Sequence, residues 1–198
     1  MAADWTIRRA SSADAAEITR LYRDFFGSQF AIDTFGEPNP DFDVARFVHD
    51  RLADPSFMMF VAEQGGRTVG FSDCHVRALH GAAPPLNFGG VRPLARSLYA
   101  RWKARRANPW FQPYVEGYLN NLYIEPDVRR RGLGSALTQC RVDALRARGV
   151  DRMRAHTLYE NTPAQEMLWR LGFQPTMYVV EWFPPDDDDG ASTPDVTH

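Results

Sequence analysis

The residues with the clearest potential for chemistry form the run Arg-Arg-Arg-Gly-Leu-Gly-Ser from Arg129 to Ser135. Glycine at 132 and 134 lets the backbone approach a ligand closely. The run lies between a predicted strand and a predicted helix, where unpaired N–H groups and the helix dipole attract anions. Three arginines add positive charge suited to phosphates. The pattern therefore predicts a loop that binds a diphosphate.

Two familiar nucleotide-binding motifs do not fit this run. It lacks the Gly-Lys-Ser/Thr ending of the P-loop and the third glycine of the dinucleotide fingerprint. A tight turn alone would explain Gly132 and Gly134 but would leave the arginines without a role. For Arg130, an exposed position on a solvated face is an equal alternative.

Alternating strands and helices must position this loop. Helical spacing of apolar residues predicts a first helix after the capping pair Ser11 and Asp14, and a second helix that Pro55 ends. The later helices are predicted from about Leu133 to Arg148 and from Thr162, which we expect to cap that helix. Gly65-Gly66 is typical of a tight hairpin turn. Strands are expected at 5–9, 57–63, 68–76, 114–124, 153–158 and 176–183, which indicates an α/β domain around one mixed sheet.

At this point the sequence resembles a known family. Arg129, Gly132 and Gly134 occupy the three defining positions of the pyrophosphate-binding motif Arg/Gln-x-x-Gly-x-Gly/Ala of the GNAT superfamily of acyl-CoA-dependent N-acyltransferases. About thirty residues later, Asn161, Ala164 and the closing Leu171-Gly172-Phe173 are similar to the second signature of that family. The resemblance covers roughly residues 5–183.

The resemblance implies a fold, a donor and a set of contacts. It implies a GNAT-like mixed, centrally splayed β-sheet flanked by helices, with a helical insertion between the third and fourth strands. Residues 1–183 would form the single domain, and acetyl-CoA would be the co-substrate. The residues that would hold it are Leu122, Tyr123, Ile124, Arg129, Arg130, Arg131, Gly132, Leu133, Gly134, Ser135, Asn161 and Ala164, with Asn161 equally suited to capping backbone groups.

The chain departs from the family at the positions that commonly carry the acid and the base. Many members place a tyrosine seven residues after the motif asparagine, where this chain has Leu168. Many also place a carboxylate on the central strand, where this chain has Asn120 and Asn121. Neither leucine nor asparagine can exchange a proton at a useful pH.

Other residues are candidates for these roles. Glu116, Tyr118 and Asn120 alternate along one strand and therefore share a face. Glu116 could activate an amine and Tyr118 could act as an acid, while His156 has a side chain suited to proton transfer near neutrality, or serves as a paired structural histidine. Tyr123 and Tyr159 are weaker candidates.

Three modes of action remain open at this point. The candidates above could provide proton transfer, positioning alone could suffice, or the domain could bind acyl-CoA as a non-catalytic sensor or regulatory partner. We hypothesise direct attack of a primary amine on the thioester, with the oxyanion bound by a backbone N–H near Leu122 to Ile124. The acceptor is open: a small amine, an aminoglycoside-like sugar, an amino acid or a protein N-terminus.

Composition narrows the remaining classes. The chain has 198 residues, a net charge of -2 and a pI near 6.2, which argues against nucleic-acid binding. Two cysteines exclude a disulfide framework and suit a reducing compartment. The N-terminus has no signal-peptide pattern, no apolar run is long enough for a membrane helix, and the histidines and cysteines lack metal-ligand spacing. We therefore expect a cytoplasmic protein without a metal or a membrane partner.

Two segments lie outside the regular pattern. Residues of about 80–112 form the insertion, in which Leu94, Leu98 and Trp102 share one face of a basic helix. The interpretations are a lid over the acceptor cleft, an element of a homodimer, or a solvated helix on the same subunit. Residues 184–198 carry four consecutive aspartates and are expected to be an acidic, disordered tail.

Overall fold

The computed structural model describes residues 4–30, 39–80, 82, 91–106, 110 and 112–177. The strands are β1 (Trp5–Arg9), β2 (Phe57–Gln64), β3 (Arg67–Leu79), β4 (Tyr114–Ile124) and β5 (Arg152–Ala155). The helices are α1 (Ala15–Phe30), α2 (Val44–Ala53), α3 (Val91–Arg105), α4 (Leu133–Ala147) and α5 (Thr162–Arg170).

The five strands form one sheet in the order β1-β2-β3-β4-β5. All neighbours are antiparallel except β4 and β5, which are parallel. Gly65 and Gly66, with φ of 57° and 78°, make the two-residue turn between β2 and β3, because both positions require the left-handed region. The mixed α/β fold predicted from the sequence is confirmed.

Each face of the sheet is covered by helices. Helices α1 and α2 cover one face, where Tyr22 and Phe71 are fully buried and their rings lie 4.1 Å apart. Helix α4 covers the other face, where Leu145 packs close to Gly117 of β4. The sheet therefore has an α1/α2 face and an α4 face, and the two faces position different parts of the site.

A β-bulge interrupts β4 at its centre. Cys74 pairs with Leu119 and Ser72 with Leu122, so two residues of β4, Asn120 and Asn121, lie opposite the single residue of β3 between them. The extra residue resets the alternation of side chains. As a result, the apolar side chains of β4 before and after the bulge both lie on the correct face of the sheet.

Several element boundaries differ from the sequence-based prediction. Strand β5 ends at Ala155 rather than at 158, and 156–158 have no regular structure. The cap of α5 is Asn161, because its side chain accepts a hydrogen bond from the Ala164 N–H at 3.2 Å, and Thr162 is already helical. Thr176 and Met177 are not in a strand, and 178–198, including the predicted acidic tail, lie outside the described residues.

The insertion between β3 and β4 contains the predicted helix, α3. Its apolar face is only partly covered, since Leu98 and Trp102 are each about half exposed at 51% and 48%. Tyr99 and Trp102 stack at 5.8 Å, and Arg106 lies over the Trp102 ring. The lid and dimer roles of this helix stay predictions. No helix in the described part of the chain combines the length and apolar character needed to cross a bilayer.

Candidate active site

The predicted diphosphate loop leads directly into α4. Gly132 is the N-cap of α4 with φ of 85°, and no side chain caps the helix. Among the described residues, no atom beyond the chain neighbours lies within 4 Å of the place that a Cβ at Gly132 would take, so the left-handed backbone alone favours glycine there. The first intrahelical bond is donated by Ala136 to the Gly132 carbonyl. The N–H groups of the first turn therefore point out of the helix, where they can bind an anion.

Gly134 brings the first turn of α4 close to β4 and α5. A Cβ at Gly134 would lie 3.4 Å from both Ile124 Cδ1 and Met167 Sδ, and 4.0 Å from Leu122 Cδ2. These are ordinary contacts with flexible side chains, and Gly134 does not have a positive φ. Packing within the chain therefore tolerates an added methyl group here, which would lie between the first turn of α4, the end of β4 and α5.

The three arginines of the loop have different environments. Arg129 Nε donates to the Ile124 carbonyl at 2.8 Å, and its guanidinium lies 5.5 Å from the centre of the Tyr123 ring. This contact ties the loop to the end of β4. Arg130, with a left-handed φ of 65°, and Arg131 are exposed, and neither makes a hydrogen bond or close ion pair with another described residue. Both are available to an anion at the start of α4.

One edge of β4 extends beyond its neighbour. Strand β5 pairs with β4 only as far as Leu119, opposite Ala155. The Glu125 N–H donates to the Val69 carbonyl at 2.9 Å. Because hydrogen-bonded pairs alternate in an antiparallel ladder, Leu122 and Ile124 direct their N–H and C=O groups away from β3. They therefore face the side where β5 has ended, next to the first turn of α4.

Tyr118 and His156, which the sequence analysis named as separate candidates, form a close pair. The Tyr118 hydroxyl lies 2.6 Å from His156 Nδ1. Tyr118 is on β4, and His156 directly follows β5, so the parallel pairing of these strands brings the two side chains together. Partial burial raises the pKa of Tyr118, although the Arg77 guanidinium over its ring opposes this shift. The phenol is thus protonated at neutral pH.

Glu116 has a different environment from the one expected of a general base. Its side chain is fully buried. Arg77 Nε donates to it at 2.6 Å, with a second short ion pair from the same guanidinium, and Arg154 Nε lies 3.5 Å away. Two guanidiniums compensate the carboxylate, and burial keeps it away from an amine. The geometry favours a structural role for Glu116 over proton transfer.

Asn120 belongs to a polar network centred on a residue that sequence analysis missed. Asp73, on β3 opposite the bulge, is fully buried and accepts hydrogen bonds from Tyr22 at 2.9 Å, Arg51 at 2.7 Å and Asn120 at 2.9 Å. Asn120 Nδ2 also lies 3.1 Å from His75 Nδ1. Asp73 is the single acidic residue within β3, and an acidic residue in the middle of a predicted strand was the available signal.

A cleft of about 620 Å³ opens between α1 and α2 beside the bulge. Its wall combines phenylalanines with two arginines and one bulge residue: Phe26, Phe42, Phe47, Arg23, Arg51 and Asn121. It lies on the same face of β4 as Tyr118. No group of three or more His, Cys, Asp and Glu side chains that could hold a metal ion occurs among the described residues.

Comparison with known proteins gives consistent results. The profile of the acetyltransferase (GNAT) family matches residues 15–173. A mycothiol acetyltransferase of Beutenbergia cavernae is 42% identical over 66 residues, covering 33% of this chain and 22% of that protein. A mycothiol acetyltransferase of Pseudarthrobacter chlorophenolicus is 26% identical over 131 residues, covering 66% and 31%. The chain thus matches less than a third of the length of these two relatives.

Solved structures show the same fold. An aminoglycoside N-acetyltransferase in complex with CoA has a TM-score of 0.61 at 18% identity, covering 94% of this chain and 98% of that one. A mutant of the BH1408 protein from Bacillus halodurans has a TM-score of 0.66 at 18% identity, covering 90% and 99%. These structures share the fold, and the family profile, which spans most of the sequence, establishes that the chain belongs to the acetyltransferase (GNAT) family.

Proposed function

We propose that this chain is an N-acetyltransferase that moves an acetyl group from acetyl-CoA to a primary amine of a small molecule or peptide. The observation that carries the proposal is the position of the uncapped first turn of α4 beside the exposed edge of β4. A ligand that joins a diphosphate to an amide-containing arm can bind both features at once. Coenzyme A has this chemistry.

The residues fit such a ligand in two parts. The N–H groups of Leu133, Gly134 and Ser135, with the exposed Arg130 and Arg131, would bind the pyrophosphate. The backbone edge of Leu122 to Ile124 would pair with the amides of the pantetheine arm, as an added strand pairs with a sheet edge. Arg129 would hold the loop against β4 through the Ile124 carbonyl. Asn161 would act indirectly, by capping α5.

The thioester supplies an activated acyl carbon, and the residues around the bulge would handle the charge and the proton. As the amine nitrogen bonds to that carbon, the N–H of Leu122 would stabilise the negative oxygen until the C–S bond breaks. Tyr118, protonated because burial raises its pKa, would protonate the leaving thiolate. The nitrogen loses one proton as the amide forms, and His156, 2.6 Å from the phenol oxygen, would pass that proton to the Tyr118 phenolate, so the products are the amide and the free CoA thiol.

The acceptor is expected in the cleft between α1 and α2. Its aromatic wall and arginine side chains suit a compact organic amine better than a highly cationic one. Mycothiol acetyltransferases and aminoglycoside acetyltransferases are among the proteins similar to this chain. Small-molecule amines are therefore the first class to test, with aminoglycosides in the panel.

The experiment is a thiol-release assay with acetyl-CoA and a panel of amines, together with calorimetric titration of CoA. We expect CoA to bind and at least one amine to accelerate thiol release. The matched control is Gly132→Asp with Gly134→Asp, which should abolish binding by placing carboxylates in the anion site. Binding without thiol release for any amine would instead support a non-catalytic sensor, and no binding would refute the assignment of the loop.

A further inference from the structure

Arg141 is a buried cation on the apolar side of α4. It lies on the same helical stripe as Leu133, Leu137 and Leu145, and only 2% of its surface is exposed. In the second half of α4 the buried residues are Arg141, Val142 and Leu145.

The contacts of Arg141 do not neutralise its charge. Its Nη2 donates to Thr138 Oγ1 at 2.8 Å, and its Nη1 donates to the Asn121 carbonyl at 3.4 Å. Its Nε has no hydrogen-bond partner, and no carboxylate lies within 4 Å among the described residues. Burial lowers the pKa of Arg141 to about 10, so the side chain remains a cation at neutral pH. Retaining such a charge in a core is costly.

The Asn121 backbone lies between this cation and a buried anion. Its N–H donates to Asp73 Oδ1 at 3.1 Å, and its C=O accepts from Arg141. The Asp73 carboxylate reaches the bulge from β3, and the guanidinium reaches it from α4 on the other side of the sheet. The bulge residue is thus held at both of its polar backbone groups by opposite charges.

The peptide group that contains the Asn121 C=O also contains the N–H of Leu122. In a planar trans peptide, the C=O and the following N–H point in opposite directions. The register of β3 and β4 directs the Leu122 N–H to the edge where β5 has ended. A cation on the carbonyl polarises the amide and makes its N–H a stronger donor, because hydrogen bonds in a chain reinforce one another.

We propose that Arg141 is a positioning residue for acetyl transfer, which fixes and polarises the Asn121–Leu122 peptide so that its N–H binds the thioester carbonyl oxygen. This inference rests on the proposed function. Arg141 touches neither substrate, since it acts through the peptide. Its effect should therefore fall on the acyl carbonyl and leave the rest of coenzyme A unaffected.

The experiment compares the wild-type chain of 198 residues with Arg141→Met, which keeps the volume and removes the charge. The matched control is Arg146→Met, an exposed arginine five residues later on the same helix. Infrared difference spectra with acetyl-CoA labelled with ¹³C at the acetyl carbonyl report the strength of the hydrogen bond to that oxygen. We expect a lower carbonyl frequency in wild type and Arg146→Met than in Arg141→Met.

Kinetics provide the second readout. Removing a whole oxyanion donor costs about 10²–10³ in kcat, so weakening one through its peptide should cost roughly tenfold. The Kd of CoA, which has no acyl carbonyl, should stay within about twofold of wild type. Arg141→Lys, which keeps the cation, should have a kcat closer to wild type than Arg141→Met. If Arg141 served folding alone, Arg141→Met would weaken the binding of CoA and of acetyl-CoA and lower the stability together.

The outcomes are separable. If acetyl-CoA fails to bind wild type, the proposed function falls and this inference falls with it. If acetyl-CoA binds and the carbonyl band is the same in wild type and Arg141→Met, only the inference is overturned. Should Arg141→Met not fold, ¹⁵N-leucine-labelled wild type decides the question. The Leu122 amide proton must move downfield with acetyl-CoA more than with CoA, and equal positions would overturn the proposal.

Discussion

The two glycines of the loop should respond in opposite ways to the same substitution. Gly132 has φ of 85° and open space within 4 Å of the position that a Cβ would occupy, so Gly132→Ala introduces backbone strain and no clash. A left-handed conformation costs a non-glycine residue about 1–2 kcal/mol. For a chain of this size, that loss lowers Tm by roughly 2–8 °C.

Gly134→Ala should have no such cost. The added methyl group meets the ends of the Ile124 and Met167 side chains at 3.4 Å and that of Leu122 at 4.0 Å, and the backbone is already helical. Replacing glycine by alanine inside a helix can stabilise by up to about 1 kcal/mol, and less in a first turn. We therefore expect an unchanged or slightly higher Tm without ligand.

The same methyl group should interfere with coenzyme A. In the proposed complex it would crowd coenzyme A where the ligand passes between the first turn of α4 and the end of β4, and a loss of about tenfold in affinity, or roughly 1.4 kcal/mol, is expected. Thermal unfolding without ligand, followed by calorimetric titration of CoA, separates the effects on stability and binding. Wild-type CoA affinity in Gly134→Ala would refute the placement of the diphosphate, and an unchanged Tm in Gly132→Ala would refute the strain argument.

Three further predictions concern single side chains. Tyr118→Phe should reduce kcat by at least about tenfold without raising the KM for acetyl-CoA, since it removes the proposed acid. Steady-state thiol release measures this effect, and an unchanged kcat would contradict the role. Asp73→Asn should destabilise the fold by about 3 kcal/mol in denaturant titrations, because it removes the buried charge that pairs with Arg51. A change below about 1 kcal/mol would contradict this account. The hydrogen bonds from Arg8 hold the pKa of Asp14 well below its usual range. The unfolded state therefore binds more protons in acid, and the stability of the fold falls as the pH drops below about 4. Asp14→Asn should flatten this acid dependence in denaturant titrations at several pH values, and an equally steep loss of stability in the variant would contradict the prediction.

The sequence by itself determined the parts of this protein that depend on local order. The glycines and arginines of the loop, and its place between a strand and a helix, follow from residue type and spacing, because capping and turn formation involve neighbours in the chain. The Gly65-Gly66 turn and the family signature belong to the same class. The insertion helix was also visible, because its apolar residues recur four apart.

Only the tertiary structure decided how the polar residues are paired. Glu116 was a candidate base on the strand face that it shares with Tyr118, but Arg77, 39 residues earlier in the chain, forms an ion pair with it in the core. The bulge at Asn120 and Asn121 exists only through pairing with β3, and that pairing makes Asp73 the centre of the network. Arg141 is a charged residue within the apolar stripe of α4, and the role we propose for it depends on its contact with the carbonyl of the bulge residue Asn121. Such contacts join residues far apart in sequence, so no local pattern encodes them.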